Sequence, residues 1–137
     1  MIDRIDVQPD DRFLLLSIHE PSLIVQLAAR LPAGLIVGLG ADEEVRAARR
    51  QTRDLDNVML VPATPDDIPW QDRFFTKAVD LICRWERPAK AAGELARVLV
   101  KGGGAYMAGP EATAERLFAA GFTNISSSGE LLIARLA

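Results

Sequence analysis

A single histidine, His19, stands in this chain of 137 residues, where the apolar run Phe13-Leu14-Leu15-Leu16-Ser17-Ile18 breaks into the polar turn His19-Glu20-Pro21-Ser22. An imidazole titrates near neutral pH, so a histidine in such a turn has the chemistry of a general base. The plainer reading is a loop histidine without a chemical role. Glu20 and Asp42 could add carboxylates to a small acidic site, although acids at helix starts commonly serve only the local amides and the helix dipole. Arg46, Arg49, Arg50 and Arg53 recur at helical spacing, which puts four guanidinium groups on one face. That face is either a docking stripe for an acidic partner or a solvated surface balanced by Glu43, Glu44, Asp54 and Asp56. Trp70 and Trp85 are candidates for lining a shallow apolar pocket, against the alternative of packing at the core or its rim. The lone Cys83 has no partner for an internal disulfide, and one histidine with one cysteine falls short of a protein-only zinc site. Gly38-Leu39-Gly40-Ala41-Asp42 carries part of a dinucleotide fingerprint. It is discounted, because the third glycine is missing and the strand is the second of its sheet.

These residues need elements to hold them, and the pattern supplies an alternation. Phe13 to Ile18 reads as a first strand, and Leu23, Leu27 and Leu31 recur on one side of a helix that Pro21 opens. Leu35 to Leu39 is a short buried strand. Ala41-Asp42-Glu43-Glu44 opens a second helix reaching about Leu55. Asn57 to Val61 is a third strand, Pro62 to Pro69 a loop, and Ala78 to Cys83 a fourth strand. Pro88 opens a helix with Ala91, Ala92, Leu95, Val98 and Leu99 on one face, which Lys101-Gly102-Gly103-Gly104 should stop. Ala105 to Ala108 is then a fifth strand, Pro110 to Ala120 a short helix, and Phe122 to Leu136 two strands around a turn at Ser127-Ser128-Gly129. Strands alternating with helices imply a mostly parallel sheet with helices on both faces, and only the last hairpin can be antiparallel. In such a sheet ligands sit beyond the carboxyl ends of the strands where the winding reverses, which makes the turn after the first strand the expected functional centre.

Composition narrows the classes. With 49% hydrophobic and 26% charged residues the chain is ordinary for one globular domain spanning 1–137, with no internal repeat and no second domain. A formal charge of −3 predicts no bulk attraction to nucleic acid or anionic membrane. No apolar run approaches a membrane span, and the first residues lack a basic segment followed by an apolar one, so the expectation is a cytoplasmic protein. The expected partners are a second copy of the chain or another protein.

Several strings, taken in order, resemble the class I S-adenosylmethionine-dependent methyltransferase fold, and particularly the small bacterial type 11 methyltransferase domain. Asn57-Val58-Met59-Leu60-Val61, then Ile68-Pro69-Trp70 and Phe74-Phe75, is similar to that family's third strand, its leucine-proline-phenylalanine loop and the aromatic that follows. Glu94-Leu95-Ala96-Arg97-Val98-Leu99-Val100-Lys101-Gly102-Gly103-Gly104 resembles the arginine-valine-leucine, proline-glycine-glycine signature before the fifth strand, with Lys101 in place of proline. Ala119-Ala120-Gly121-Phe122 is similar to the segment before the last hairpin. The resemblance runs from Phe13 onward and implies a Rossmann-like, three-layer α/β sandwich with a mostly parallel seven-stranded sheet and a C-terminal antiparallel hairpin.

The resemblance also implies S-adenosylmethionine as cofactor, held by residues that would here be Ser17, His19, Gly40, Asp42, Thr64 and Asp66. Those positions depart from the family. Laid on its first-strand motif, Leu15 replaces the acid, Ser17 and His19 the first two glycines and Pro21 the third, where glycine would let backbone approach the methionine. Gly40 stands where an acid would hold the ribose, with Asp42 two residues on. Thr64 stands where an acid would face adenine, with Asp66 and Asp67 just beyond. Each such contact is worth about 1.5–3 kcal/mol, so losing two weakens binding roughly a hundredfold or more. Only a short segment precedes the first strand, leaving such a site little cover. The expectation is a methyltransferase-fold chain that binds no cofactor in the ordinary way and serves as a binding or interaction module. The alternative is a divergent enzyme that holds the cofactor through backbone amides, Asp42 and the Thr64 to Asp67 loop and acts mainly by positioning the methyl donor, which needs few catalytic side chains. An open crevice beside Ser17, Gly40 and Thr64 would keep ligand binding alive, whereas one filled by His19, Pro21 and Trp85 would not.

Overall fold

A computed structural model of the chain describes residues 2–18 and 20–137. After one turn of 3-10 helix at Ile2–Arg4 the elements are β1 (Arg12–Leu15), α1 (Pro21–Ala29), β2 (Leu35–Gly40), α2 (Asp42–Thr52), β3 (Val58–Pro62), β4 (Phe75–Asp80), α3 (Pro88–Val98), β5 (Leu99–Met107), α4 (Ala114–Ala119), β6 (Phe122–Ser128) and β7 (Leu131–Leu136). The strands form one seven-stranded sheet in the order β3-β2-β1-β4-β5-β7-β6. Strands β1 to β5 pair in parallel, and β7 runs antiparallel to both β5 and β6. The expected sandwich and its antiparallel hairpin are therefore both present.

The uninterrupted apolar run at β1 follows from its place between β2 and β4. A parallel strand covered on both faces needs apolar residues at every position rather than at alternate ones. Phe13 and Leu15 enter the core layer that includes Ile24, Leu27, Val45 and Ala48 of α1 and α2. Leu14 and Leu16 enter the opposite layer with Ala91, Leu95 and Val98 of α3 and Leu117 of α4. Beyond the regular pairing, Leu16 N–H donates to Val79 O and Ile18 N–H to Leu39 O, each at 3.0 Å, so the chain stays fastened to the sheet up to the turn. Among the described residues no helix is long and apolar enough to cross a membrane.

Two elements lie elsewhere than their sequence patterns suggest. Strand β4 covers Phe75–Asp80 rather than Ala78 to Cys83. The apolar Leu81-Ile82-Cys83 leaves the sheet because Asp80 Oδ1 accepts the N–H groups of Ile82 and Cys83, at 3.0 and 2.9 Å, and Cys83 turns at φ 40°. The second difference concerns the glycines at 102–104, which do not stop a helix. Helix α3 already ends at Val98, where Phe74 N–H donates to Val98 O at 2.8 Å, and β5 starts at Leu99. The glycines form a bulge within β5: between its pairings Leu99 with Phe75 and Gly104 with Lys77, β5 advances further than β4. Gly102, at φ 79°, takes the left-handed backbone that this detour requires.

Helix α3 also fastens the long loop between β3 and β4. Arg97 donates to Ile68 O and Trp70 O, both at 2.8 Å, and to Asp72 Oδ1 at 2.7 Å, while Glu94 Oε1 accepts Ile68 N–H at 2.9 Å. The Glu94–Arg97 pair closes at 2.7 Å. The hydrogen bond from Arg97 is the main reason the Glu94 carboxyl is held below its ordinary value, and the same contact raises the guanidinium. Arg97→Ala should cost about 2 kcal/mol in a urea titration, because it strips two backbone carbonyls and two carboxylates of a charged donor. Its specific signature is faster amide exchange at Ile68. A variant whose loop amides exchange at the wild-type rate would show that the loop is held by something else.

Candidate functional site

The carboxyl ends of β1, β2 and β4 open onto a crevice of about 510 Å³ lined by Ser17, Gly40, Asp42, Thr64, Asp80 and Trp85, among others. It lies where the winding reverses: β1 leads to β2 on one side, and β4 continues on the other. Asp42 and Glu44 stand exposed along one part of the lining and Arg84 along another. Carboxylates of this kind can accept hydrogen bonds from a diol, and a guanidinium can hold a carboxylate or phosphate. Glu44 already caps its helix, accepting the Ala41 N–H at 2.9 Å.

Asp80, at the end of β4, is only 2% exposed and is the most heavily engaged polar group of the crevice. Its Oδ1 accepts the Ser17 hydroxyl at 2.7 Å together with the Ile82 and Cys83 amides, and its Oδ2 accepts the Trp85 indole N–H at 2.8 Å. Four donors of the chain itself thus converge on this carboxylate, three on Oδ1 and one on Oδ2. The Cys83 thiol lies beneath this turn. Burial, then the negative charge of Asp80, pushes it far above its ordinary value, so it is no nucleophile.

The end of the apolar run that follows β1 packs against the chain's own residues. Ile18, 4% exposed, lies over β2: a Cβ placed on Gly40 would stand 3.3 Å from Ile18 Cδ1. A Cβ on Gly38 would stand 2.9 Å from Leu60 Cδ2. These two glycines thus make room for the protein's own side chains.

Of the expected cofactor residues, the crevice gathers Ser17, Gly40, Asp42 and Thr64. Asp66 faces an adjoining hollow of about 180 Å³, where it accepts the Thr64 hydroxyl at 2.6 Å and lies 3.9 Å from Arg87. His19 lies outside the described residues. Trp85 is both buried core and crevice lining, whereas Trp70 packs against Phe74 and Phe75 with ring centroids 5.8 Å away and does not line the crevice. The four arginines do share one exposed side of α2. Asp80 was not expected from the pattern. Its signal was an acid at the end of an apolar run with a tryptophan five residues on, but the intervening Leu81-Ile82-Cys83 disguised it as mid-strand.

The fold is shared with solved structures. A SAM-dependent methyltransferase from Aquifex aeolicus superposes with a TM-score of 0.83 at 16% identity, covering 99% of this chain and 87% of that one. This is the class I methyltransferase fold. A candidate methyltransferase solved in complex with the Haloferax volcanii methyltransferase activator Trm112 matches with a TM-score of 0.82 at 15% identity, over 98% of this chain and 86% of that one. Among curated proteins, the candidate methyltransferase YrhH of Bacillus subtilis (strain 168) is 31% identical over 83 residues, which is 59% of this chain. The match takes in 46% of that protein, so the chain spans about half the length of its curated relative. No protein-family profile matches the chain. Neither the fold nor the open crevice supports the expectation that no cofactor binds.

Proposed function

We propose that this chain is a methyltransferase-fold binding module that has lost ordinary S-adenosylmethionine binding. The observation that carries this reading is the closed ring around Asp80. Where a glycine-rich turn would expose its backbone to the methionine moiety, Ser17 is tied to Asp80 and Ile18 covers β2. Asp80 already accepts four donors of the chain, three on Oδ1 and one on Oδ2, which leaves one lone pair for an ammonium group. The ribose and adenine positions offer Asp42 and the Thr64–Asp66 pair in place of dedicated acids. Isothermal titration calorimetry with S-adenosylmethionine and S-adenosylhomocysteine tests the reading directly. The expected result is no heat at millimolar ligand; a micromolar dissociation constant for either would overturn it. The fold relative bound to an activator protein supports a protein as the natural partner.

The 510 Å³ crevice favours one second reading, a divergent methyltransferase that holds the cofactor through Asp42 and the loop 64–67. Such an enzyme would act by orienting the methyl donor against its acceptor. On that reading Asp42→Ala weakens cofactor binding roughly tenfold or more, the worth of one charge-assisted hydrogen bond. Unchanged affinity would remove Asp42 from the site.

A further inference from the structure

Helix α2 carries a feature that neither its fold nor the crevice uses. Val45, Ala48 and Thr52 are its buried positions, and Arg46, Arg49, Arg50 and Arg53 are all exposed. Arg46 with Arg50, and Arg49 with Arg53, are like charges four residues apart, an arrangement that weakens a helix unless something else satisfies it. Among the described residues none of the four forms an ion pair, although Arg30, Arg87, Arg97 and Arg116 all do. Of the four, and among the described residues, Arg49 alone has a hydrogen-bond partner, donating to Leu60 O on the outermost strand β3 at 2.9 Å. That contact lays Arg49, with Arg53 one turn on, beside an open groove of about 340 Å³ between α2 and β3, lined also by Leu55 and Val58, with Arg46 and Arg50 further along the same exposed side. Met59 belongs to the same lining and is 53% exposed.

An apolar trough bordered by unpaired guanidinium groups, on a chain whose net charge is −3, is complementary to a segment that carries both acids and apolar side chains. We propose that the α2–β3 groove docks an acidic, leucine- or valine-containing segment of a partner protein. A protein suits the groove better than a nucleic acid does. The lining holds no aromatic ring on which a base could stack, and an exposed methionine adapts readily to aliphatic side chains. The inference names a partner class for the interaction reading above and rests on it, but the two are tested by different ligands and either can fail alone.

The probe is a fluorescein-labelled peptide in which glutamate alternates with leucine, titrated by fluorescence polarisation with the full chain. Binding should weaken as salt is raised, and Arg49→Ala with Arg53→Ala should reduce affinity about tenfold or more. Because Arg49 also touches β3, a second variant, Arg46→Gln with Arg50→Gln, removes two arginines that form no hydrogen bond or ion pair among the described residues; it should keep the wild-type melting curve and still weaken binding several-fold. No binding of the peptide, equal binding of its lysine-for-glutamate counterpart, or an affinity unchanged in both variants would each overturn the proposal. Tighter, arginine-dependent binding of a single-stranded RNA would replace the protein partner with a nucleic acid.

Discussion

Asp80→Ala is expected to lose about 3–5 kcal/mol of folding stability, a large part of the 5–15 kcal/mol that holds a typical domain together. The loss is large because one carboxylate satisfies four donors. Without it the Trp85 indole N–H, 5% exposed overall, and the Cys83 amide beneath the turn have no other acceptor. The loop after β4 should then loosen, since both amide contacts that turn it out of the sheet disappear. Asp80→Asn should fall between, at about 1–3 kcal/mol, since it keeps one oxygen but confronts the remaining donors with an amide N–H₂. Chemical denaturation of the three proteins decides the matter. If alanine costs less than about 1 kcal/mol, water from the crevice replaces the carboxylate and the ring is not structural.

Lys77→Met is expected to be comparably damaging, by about 3–5 kcal/mol at neutral pH, because it strands a buried carboxylate. Lys77 is 6% exposed and Asp11 5% exposed. The Lys77 ammonium donates to Asp11 Oδ2 at 2.7 Å and to Asp6 O at 3.0 Å, which ties the segment before β1 to the middle of β4. Burial by itself would raise the Asp11 carboxyl. Hydrogen bonds from Lys77, the Gln8 amide and Thr76, with the lysine charge, outweigh burial and hold it below its ordinary value of 3.8. The sign of the pH dependence follows. A depressed carboxyl contributes stability that is whole above pH 3.8 and is lost as pH falls through its lower folded value. In Lys77→Met the depression disappears and Asp11 takes up a proton at higher pH, so the gap between variant and wild type should narrow on acidification. A gap that stays constant from neutral pH to pH 3 would show that the pair does not titrate as a unit.

The contacts explain why some sequence strings were legible and others misled. Ile68-Pro69-Trp70 and Glu94 to Leu99 each resembled a family signature, and the fold places them against each other: Glu94 and Arg97 hold the backbone of Ile68 and Trp70. Two weak strings far apart in the chain are one physical device, which is why their order and spacing carried more information than either alone. The glycines at 102–104 misled because a glycine run has two uses, ending a helix or bulging a strand. Pairing of β5 with β4, and not local preference, selected the second.

By itself the sequence determined the layered α/β class, the parallel order of elements and the final hairpin, because hydrophobic periodicity responds directly to which faces are covered. It also placed Ser17, Gly40, Asp42 and Thr64 at strand ends, and strand ends of a parallel sheet converge on one edge. Tertiary structure alone decided that this edge stays open around those residues while Asp80, Ser17 and Trp85 close upon one another. It also decided that Lys77 finds Asp11 across 66 positions of chain. Those choices rest on hydrogen bonds between residues brought together only by the parallel pairing of β1 with β4 at the centre of the sheet, and no local pattern of residue types records them.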